Sequence, residues 1–208
     1  MNAVLFDFEG TIVDFQWNLS EAIGEARKKL LLLGINAKQK NYALLYNETL
    51  KIAEKIGNFP LVKNVLDEIF DRYDMDALKR WKLRDGVLPV LNLLDERRIK
   101  AALVTNVGRR AIDLALKKFD LSFDVVVTRD DVNFLKPSPV GLKMAMKALQ
   151  TEDVIFIGDS VSDVIAAKRA GIPVVVVSGG ESDVEEIKEA EVDYILSNLS
   201  EILEILEE

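Results

Sequence analysis

A parallel, doubly wound α/β sheet with an inserted helical domain is the architecture predicted here, on three observations. From about residue 83 onward, short apolar runs of strand length alternate with helical stretches. A first run of the same kind, Ala3-Val4-Leu5-Phe6, stands alone near the N-terminus. Between the two, residues 18 to about 81 carry helical signals and no strand signal.

The elements follow in chain order. Residues 3–6 are four consecutive apolar residues stopped by a Gly-containing turn, the pattern of a strand covered on both faces. Asn18, with Glu21 three residues on, marks a helix start; Gly34 marks a stop, and Pro60 opens a further helix. Helices are expected at 87–97, 109–118, 140–149, 162–170 and 184–190, with another at the C-terminus. Strands are expected at 101–104, 125–127, 154–157 and 174–177, with a weaker one at 194–196. The first strand belongs with these later ones, so residues 1–14 and 84–208 are read as one α/β core and residues 15–83 as a helical cap inserted into it. Arg84-Asp85-Gly86 is the expected return hinge. No repeat or low-complexity tract interrupts the pattern.

Composition narrows the chemistry. The 208 residues include no Cys and no His, which removes disulfides, thiolate nucleophiles, Ser-His pairs and imidazole metal sites. Acid, base and metal chemistry is left mainly to Asp, Glu, Lys, Tyr, hydroxyls and backbone groups, a donor set that favours Mg²⁺, Ca²⁺ or Mn²⁺. The net charge of −8 argues against nucleic acid or an anionic membrane as the main partner. With no basic leader and no apolar run near the roughly 20 residues of a membrane span, a cytoplasmic location is expected.

Ligands in open α/β sheets collect outside the carboxyl ends of the strands. Four such ends carry polar residues here: Asp7 and Glu9 in Asp7-Phe8-Glu9-Gly10-Thr11, Thr105-Asn106, Lys136 in a Lys-Pro-Ser-Pro loop, and Gly158-Asp159-Ser160-Val161-Ser162-Asp163. Singly, each has an ordinary explanation as a cap, turn or solvated loop residue. In order and spacing together, they resemble the haloacid dehalogenase superfamily of phosphotransferases. The resemblance spans the whole chain and includes a helical cap placed just after the first motif, as in the phosphoglycolate phosphatase and β-phosphoglucomutase-like group.

That resemblance implies Asp7 as nucleophile, Glu9 as general acid/base, Thr105 as a ligand of the transferring phosphoryl group and Lys136 as the neutralising charge. Gly10 and Asn106 are expected beside Thr105 and Lys136 in phosphate binding. Mg²⁺ would be held by Asp7, Asp159 and the backbone carbonyl of Glu9, with Asp163 supporting it directly or through water. The physical logic agrees, since an anionic carboxylate approaches an anionic phosphate monoester only where cations neutralise the charge. A small phosphorylated metabolite is the expected substrate, hydrolysed through an aspartyl-phosphate. The alternatives are a phosphomutase, a dehalogenase that would need neither Glu9 nor a metal, or a non-enzymatic Mg²⁺- or phosphate-binding regulatory module. Glu9 departs from the commoner Asp at that position, although a similar Asp-x-Glu-Gly-Thr occurs in the enolase-phosphatase branch. Arg27, Lys28 and Lys29 read as a solvated helix face sooner than as a contact for an acidic substrate, and Trp17, Tyr42, Tyr46 and Trp81 as cap core, with lining of the cleft as the alternative. Oligomeric state is not legible.

Overall fold

In the computed structural model, residues 1–203 are described. Six strands form one parallel sheet: β1 (Ala3–Phe6), β2 (Lys100–Val104), β3 (Val125–Val127), β4 (Val154–Gly158), β5 (Val174–Val177) and β6 (Tyr194–Leu196). Their order is β3-β2-β1-β4-β5-β6, so the winding reverses between β1 and β4. β1, β4 and β5 are buried at every position, as continuous apolar runs demand when helices cover both faces of the sheet. Parallel pairing sets Phe6 beside both Leu103 and Ile157, which brings the C-terminal ends of β2, β1 and β4 level.

Helices α1 (Leu19–Leu32), α2 (Tyr42–Lys55) and α3 (Phe59–Arg80) occupy the span between β1 and the rest of the sheet. They pack on one another around Leu30, Leu45, Leu50, Leu66 and Phe70. Pro60 lies in the first turn of α3, as expected. Asn18 flanks α1 without capping it; its amide instead donates to Glu21 Oε2 at 2.7 Å. Asn41 is the working cap, accepting from the N–H of Leu44 at 3.0 Å at the start of α2.

Helices α4 (Val87–Glu96), α5 (Arg109–Phe119), α6 (Val140–Leu149), α7 (Val161–Ala170) and α8 (Val184–Glu189) alternate with the later strands within a residue or two of expectation. The helix expected at the C-terminus falls largely on residues 204–208, outside the described residues; just before them lies a 3₁₀ turn, Leu199–Glu201. No described helix is long and apolar enough to cross a membrane.

The two passages between β1 and the helical block run side by side. Val13 and Leu83 form an antiparallel bridge, Asp14 N–H donates to Lys82 C=O at 3.0 Å, and Arg84 N–H donates to Ile12 C=O at 3.0 Å. Asp14 Oδ1 also accepts from Lys82 N–H at 2.7 Å.

Candidate active site

Every residue singled out at a strand end comes to the C-terminal edge of the sheet, at the winding reversal. Asp7 continues β1 by one residue, its N–H donating to Ile157 C=O at 2.8 Å, so its carboxyl lies beside the end of β4. Asp159 follows β4, and Asp163 lies in the first turn of α7. Each of the three offers a carboxylate oxygen within 4.8 Å of the others, and all three are buried. Asp163 is oriented by its own helix start: Oδ2 accepts from Ser160 Oγ at 2.7 Å and from the N–H groups of Asp159 and Ser160 at 3.1 Å. Asp159 Oδ2 accepts from Glu181 N–H at 2.5 Å. A Cβ on Gly10 or Gly180 would overlap the Asp159 carboxylate, and Gly10 also has φ +89°, so its glycine is required twice over.

Lys136 is buried and is the sole cation lining this cleft among the described residues. Its ammonium pairs with Asp7, lies 2.7 Å from Asp163 Oδ1 and donates to Val104 C=O at 3.0 Å. Burial works against its charge, but Asp163 and Asp7 outweigh burial and hold it above the usual lysine range. Burial likewise lifts the Asp7 carboxyl to about 6 against the pull of Lys136. It lifts Asp159 well above the usual carboxylate range, with Asp163 and Asp7 adding to the rise. Three buried carboxylates stand against one ammonium that pairs with only Asp7 and Asp163, so the cluster is short of positive charge, and its donors are all hard oxygens. The cluster fits a divalent metal ion.

Glu9 stands apart from this cluster. Its Oε1 accepts from Gln16 N–H at 2.8 Å and from Trp81 Nε1 at 2.9 Å, and burial raises the carboxyl to about 8 despite both bonds. Its carboxyl is not among the three that could jointly hold a metal ion. Thr105 N–H donates to Val127 C=O at 2.9 Å, while its hydroxyl lines the cleft and accepts from Val107 N–H at 3.2 Å.

Two residues expected in phosphate binding make other bonds here. Asn106 spends its side chain on the main chain of Lys136, with Oδ1 accepting from N–H at 3.0 Å and Nδ2 donating to C=O at 3.4 Å. It pins the loop that presents the lysine. Gly10 donates its N–H to Val13 C=O at 2.7 Å and accepts from Arg84, so what it contributes is room for Asp159.

The cavity over these groups measures about 40 Å³, and Phe15, Trp17, Leu19, Tyr42 and Val107 supply its apolar side. Trp17 and Tyr42, expected as cap core, thus also face the site, and Trp81 orients Glu9. Two further features escaped the sequence reading. Glu181, after β5, lines the cavity and accepts from Asn41 Nδ2 at 3.3 Å; burial lifts its carboxyl to about 7. Arg129, 1% exposed, reaches from the sheet side to Asp74, Asp71 and Asp67 of α3, with Asp74 Oδ2 at 2.6 Å. Its Nη1 also donates to Asn106 C=O at 3.0 Å, where Tyr42 Oη donates too at 2.7 Å. The signal for this clamp was present in the sequence: Asp67, Asp71 and Asp74 share one face of a helix by spacing alone.

A parallel sheet with a carboxylate at the tip of its first strand, two more at the fourth and a lysine between them defines a carboxylate-centred α/β enzyme site. More narrowly, the chain belongs to the haloacid dehalogenase-like hydrolase family, whose model matches residues 4–177. It is 31% identical over 216 residues to a phosphoglycolate phosphatase of Photorhabdus laumondii, an alignment covering 98% of this chain and 91% of that one. It is 26% identical over 219 residues to a pyrophosphatase, PpaX, of Bacillus mycoides, with 99% and 97% covered. In fold it resembles a hydrolase of Pseudomonas syringae at a TM-score of 0.73 and 22% identity, over 100% of this chain and 98% of that one.

Proposed function

We propose that this hydrolase is a Mg²⁺-dependent phosphatase acting on a small phosphorylated metabolite. The observation that carries the reading is the buried set of Asp7, Lys136, Asp159 and Asp163 at one sheet edge, with the Glu9 carboxyl facing the same cavity. Names borne by relatives, phosphoglycolate phosphatase and pyrophosphatase, place phosphoryl transfer to water among the activities of similar chains.

In this reading Asp7 attacks phosphorus in line with the ester oxygen, forming an acyl-phosphate bond as the P–O bond to the leaving group breaks. Glu9 gives its proton to the departing alkoxide; it then takes one from the water that attacks phosphorus, returning Asp7 to a carboxylate and releasing phosphate. Lys136 enters the reaction charged because Asp163 and Asp7 hold its proton, and it offsets phosphoryl charge beside the nucleophile. The Thr105 hydroxyl, free to donate, orients a phosphoryl oxygen. Mg²⁺, held by Asp7, Asp159, Asp163 and the Glu9 carbonyl, would supply the remaining positive charge that lets two anions meet. Residues 15–83 act as a cap that excludes water from the intermediate, moving about the paired passages at Val13 and Leu83.

The test is phosphate release from p-nitrophenyl phosphate and a panel of phosphorylated metabolites, with and without Mg²⁺, for the native protein and Asp7→Asn. Metal-dependent release that is lost in the variant supports the reading. Release that survives the substitution removes Asp7 from the mechanism.

A further inference from the structure

We infer that the leaving group is an uncharged, oxygen-bearing alcohol and that the site discriminates against esters carrying a second anion; this rests on the phosphatase reading above. A substrate such as phosphoglycolate or pyrophosphate brings a negative group beyond the phosphoryl being transferred, and that group needs a cation in the part of the cavity away from Asp7. None is there. Six carboxyl groups line the cavity, those of Asp7, Glu9, Asp74, Asp159, Asp163 and Glu181, against Lys136 alone among the described residues; with Asp7, Asp159 and Asp163 assigned to the metal and Asp74 paired with Arg129, Glu181 is the carboxyl left to face a second anion beyond Glu9.

Nearby arginines are already committed. Arg129 lies behind the cavity wall and faces three aspartates of α3. Arg84 donates to the carbonyls of Gly10 and Ser178, and Arg27 to those of Lys38 and Gln39. Lys136 is held by Asp7 and Asp163 at the phosphoryl end. The wall beside Glu9, whose carboxyl accepts from Gln16 N–H, instead presents Phe15, Leu19 and Trp17. Trp17 is only 8% exposed, and its indole N–H is buried without a hydrogen-bond partner. A buried donor left unmade is costly, and a hydroxyl or ether oxygen of a bound ester would satisfy it. A small, mostly apolar wall with one unspent donor is complementary to a neutral polar alcohol.

The test compares 2-hydroxyethyl phosphate with 2-phosphoglycolate and inorganic pyrophosphate, using the full chain with Mg²⁺. A like charge a few ångströms from a wall carboxylate in a partly buried cleft is worth about two to three powers of ten. kcat/KM should therefore favour 2-hydroxyethyl phosphate by about 10²–10³-fold. Leu19→Arg, a change at a half-buried wall residue, places a cation where the second anion would sit and should raise relative activity on 2-phosphoglycolate about 10-fold or more. Trp17→Phe should remove a preference of about 3- to 10-fold for 2-hydroxyethyl over ethyl phosphate, the size expected of one hydrogen bond. If 2-phosphoglycolate or pyrophosphate is turned over as well as the neutral ester, or if Leu19→Arg folds by circular dichroism yet leaves the ratio unmoved, the inference is overturned while the phosphatase reading stands. Absence of Asp7-dependent release from every ester, p-nitrophenyl phosphate included, removes both.

Discussion

Replacing Arg129 by Met removes one cation from a place where water cannot substitute for it. Arg129 and Asp74 are each 1% exposed and 2.6 Å apart, so the variant leaves the Asp74 carboxyl buried with a single remaining donor, Gly108 N–H at 3.0 Å. Asp67 and Asp71 suffer less, since they are partly solvated and Asp67 keeps Lys63 and Tyr46. Breaking one side of a buried pair costs about 3–5 kcal/mol. For a protein of this length about 2–4 °C is lost per kcal/mol, so Tm should fall by roughly 6–20 °C in thermal unfolding followed by circular dichroism. The pH dependence has a definite sign. Burial already holds Asp74 above the usual carboxylate range with Arg129 opposing it, and without Arg129 it rises further. The folded state then binds a proton that the unfolded state releases, so stability falls as pH rises above the ordinary Asp range. The deficit of Arg129→Met should thus be larger at pH 8 than at pH 5. Adding Asp74→Asn should recover a substantial part of it, because the stranded charge is gone. A Tm change below about 3 °C, or a double variant whose loss is the sum of the two single losses, would refute the assignment of this pair as the clamp between α3 and the sheet.

Other outcomes follow from the same geometry. Asp7→Asn should unfold within a few degrees of the native protein yet show no turnover, and a structure with BeF₃⁻, which stands in for the phosphoryl group, should place beryllium against Asp7 in the native chain; beryllium on Ser160 would show the nucleophile to be misassigned. Chelation with EDTA should abolish phosphate release, and Asp159→Ala should do the same with metal present; full activity after exhaustive chelation would sink the metal-dependent mechanism. Glu9→Gln should slow esters of poor alcohol leaving groups by about 10²–10⁴-fold and p-nitrophenyl phosphate far less, because a good leaving group needs little protonation. Equal, small losses on both kinds of ester would reduce Glu9 to an anchor for Trp81 and Gln16.

The sheet was legible because its strands are unmixed. Val174 to Val177 and the run from Ala3 to Phe6 have no polar face, and only a strand between helices tolerates that. Asp7 and Asp159 were legible for a related reason: each sits directly after such a run, and local sequence determines where a strand stops. The uses of Asn106 and Arg129 were not, and for Trp17 the sequence left core and cleft both open. Asn106 serves the main chain of a loop 30 residues away, Trp17 is set against the cavity by packing on Tyr42 of α2 and Phe70 of α3, and Arg129 finds its carboxylate partners 55 or more residues back. Contacts between separate layers depend on how the layers dock, which hydrophobic periodicity does not encode. Asn18 shows the converse limit, a residue of the right type for a cap whose side chain is occupied by Glu21.

Asn47 of α2 meets Leu135, the residue before Lys136, through both of its amide groups: Nδ2 donates to Leu135 C=O at 2.8 Å and Oδ1 accepts from Leu135 N–H at 2.7 Å. The two positions consequently face unequal freedom to drift over evolutionary time. Position 135 is addressed by its peptide groups, so any apolar side chain that fits the surrounding core preserves the contact. Position 47 must offer a donor and an acceptor in one plane, and aspartate there would set a carboxylate against a carbonyl. Among sequences descended from a common ancestor with this arrangement, the amide should persist at 47 while the residue at 135 changes. The residue most informative about the lysine loop is then found in another layer of the molecule, almost ninety positions upstream.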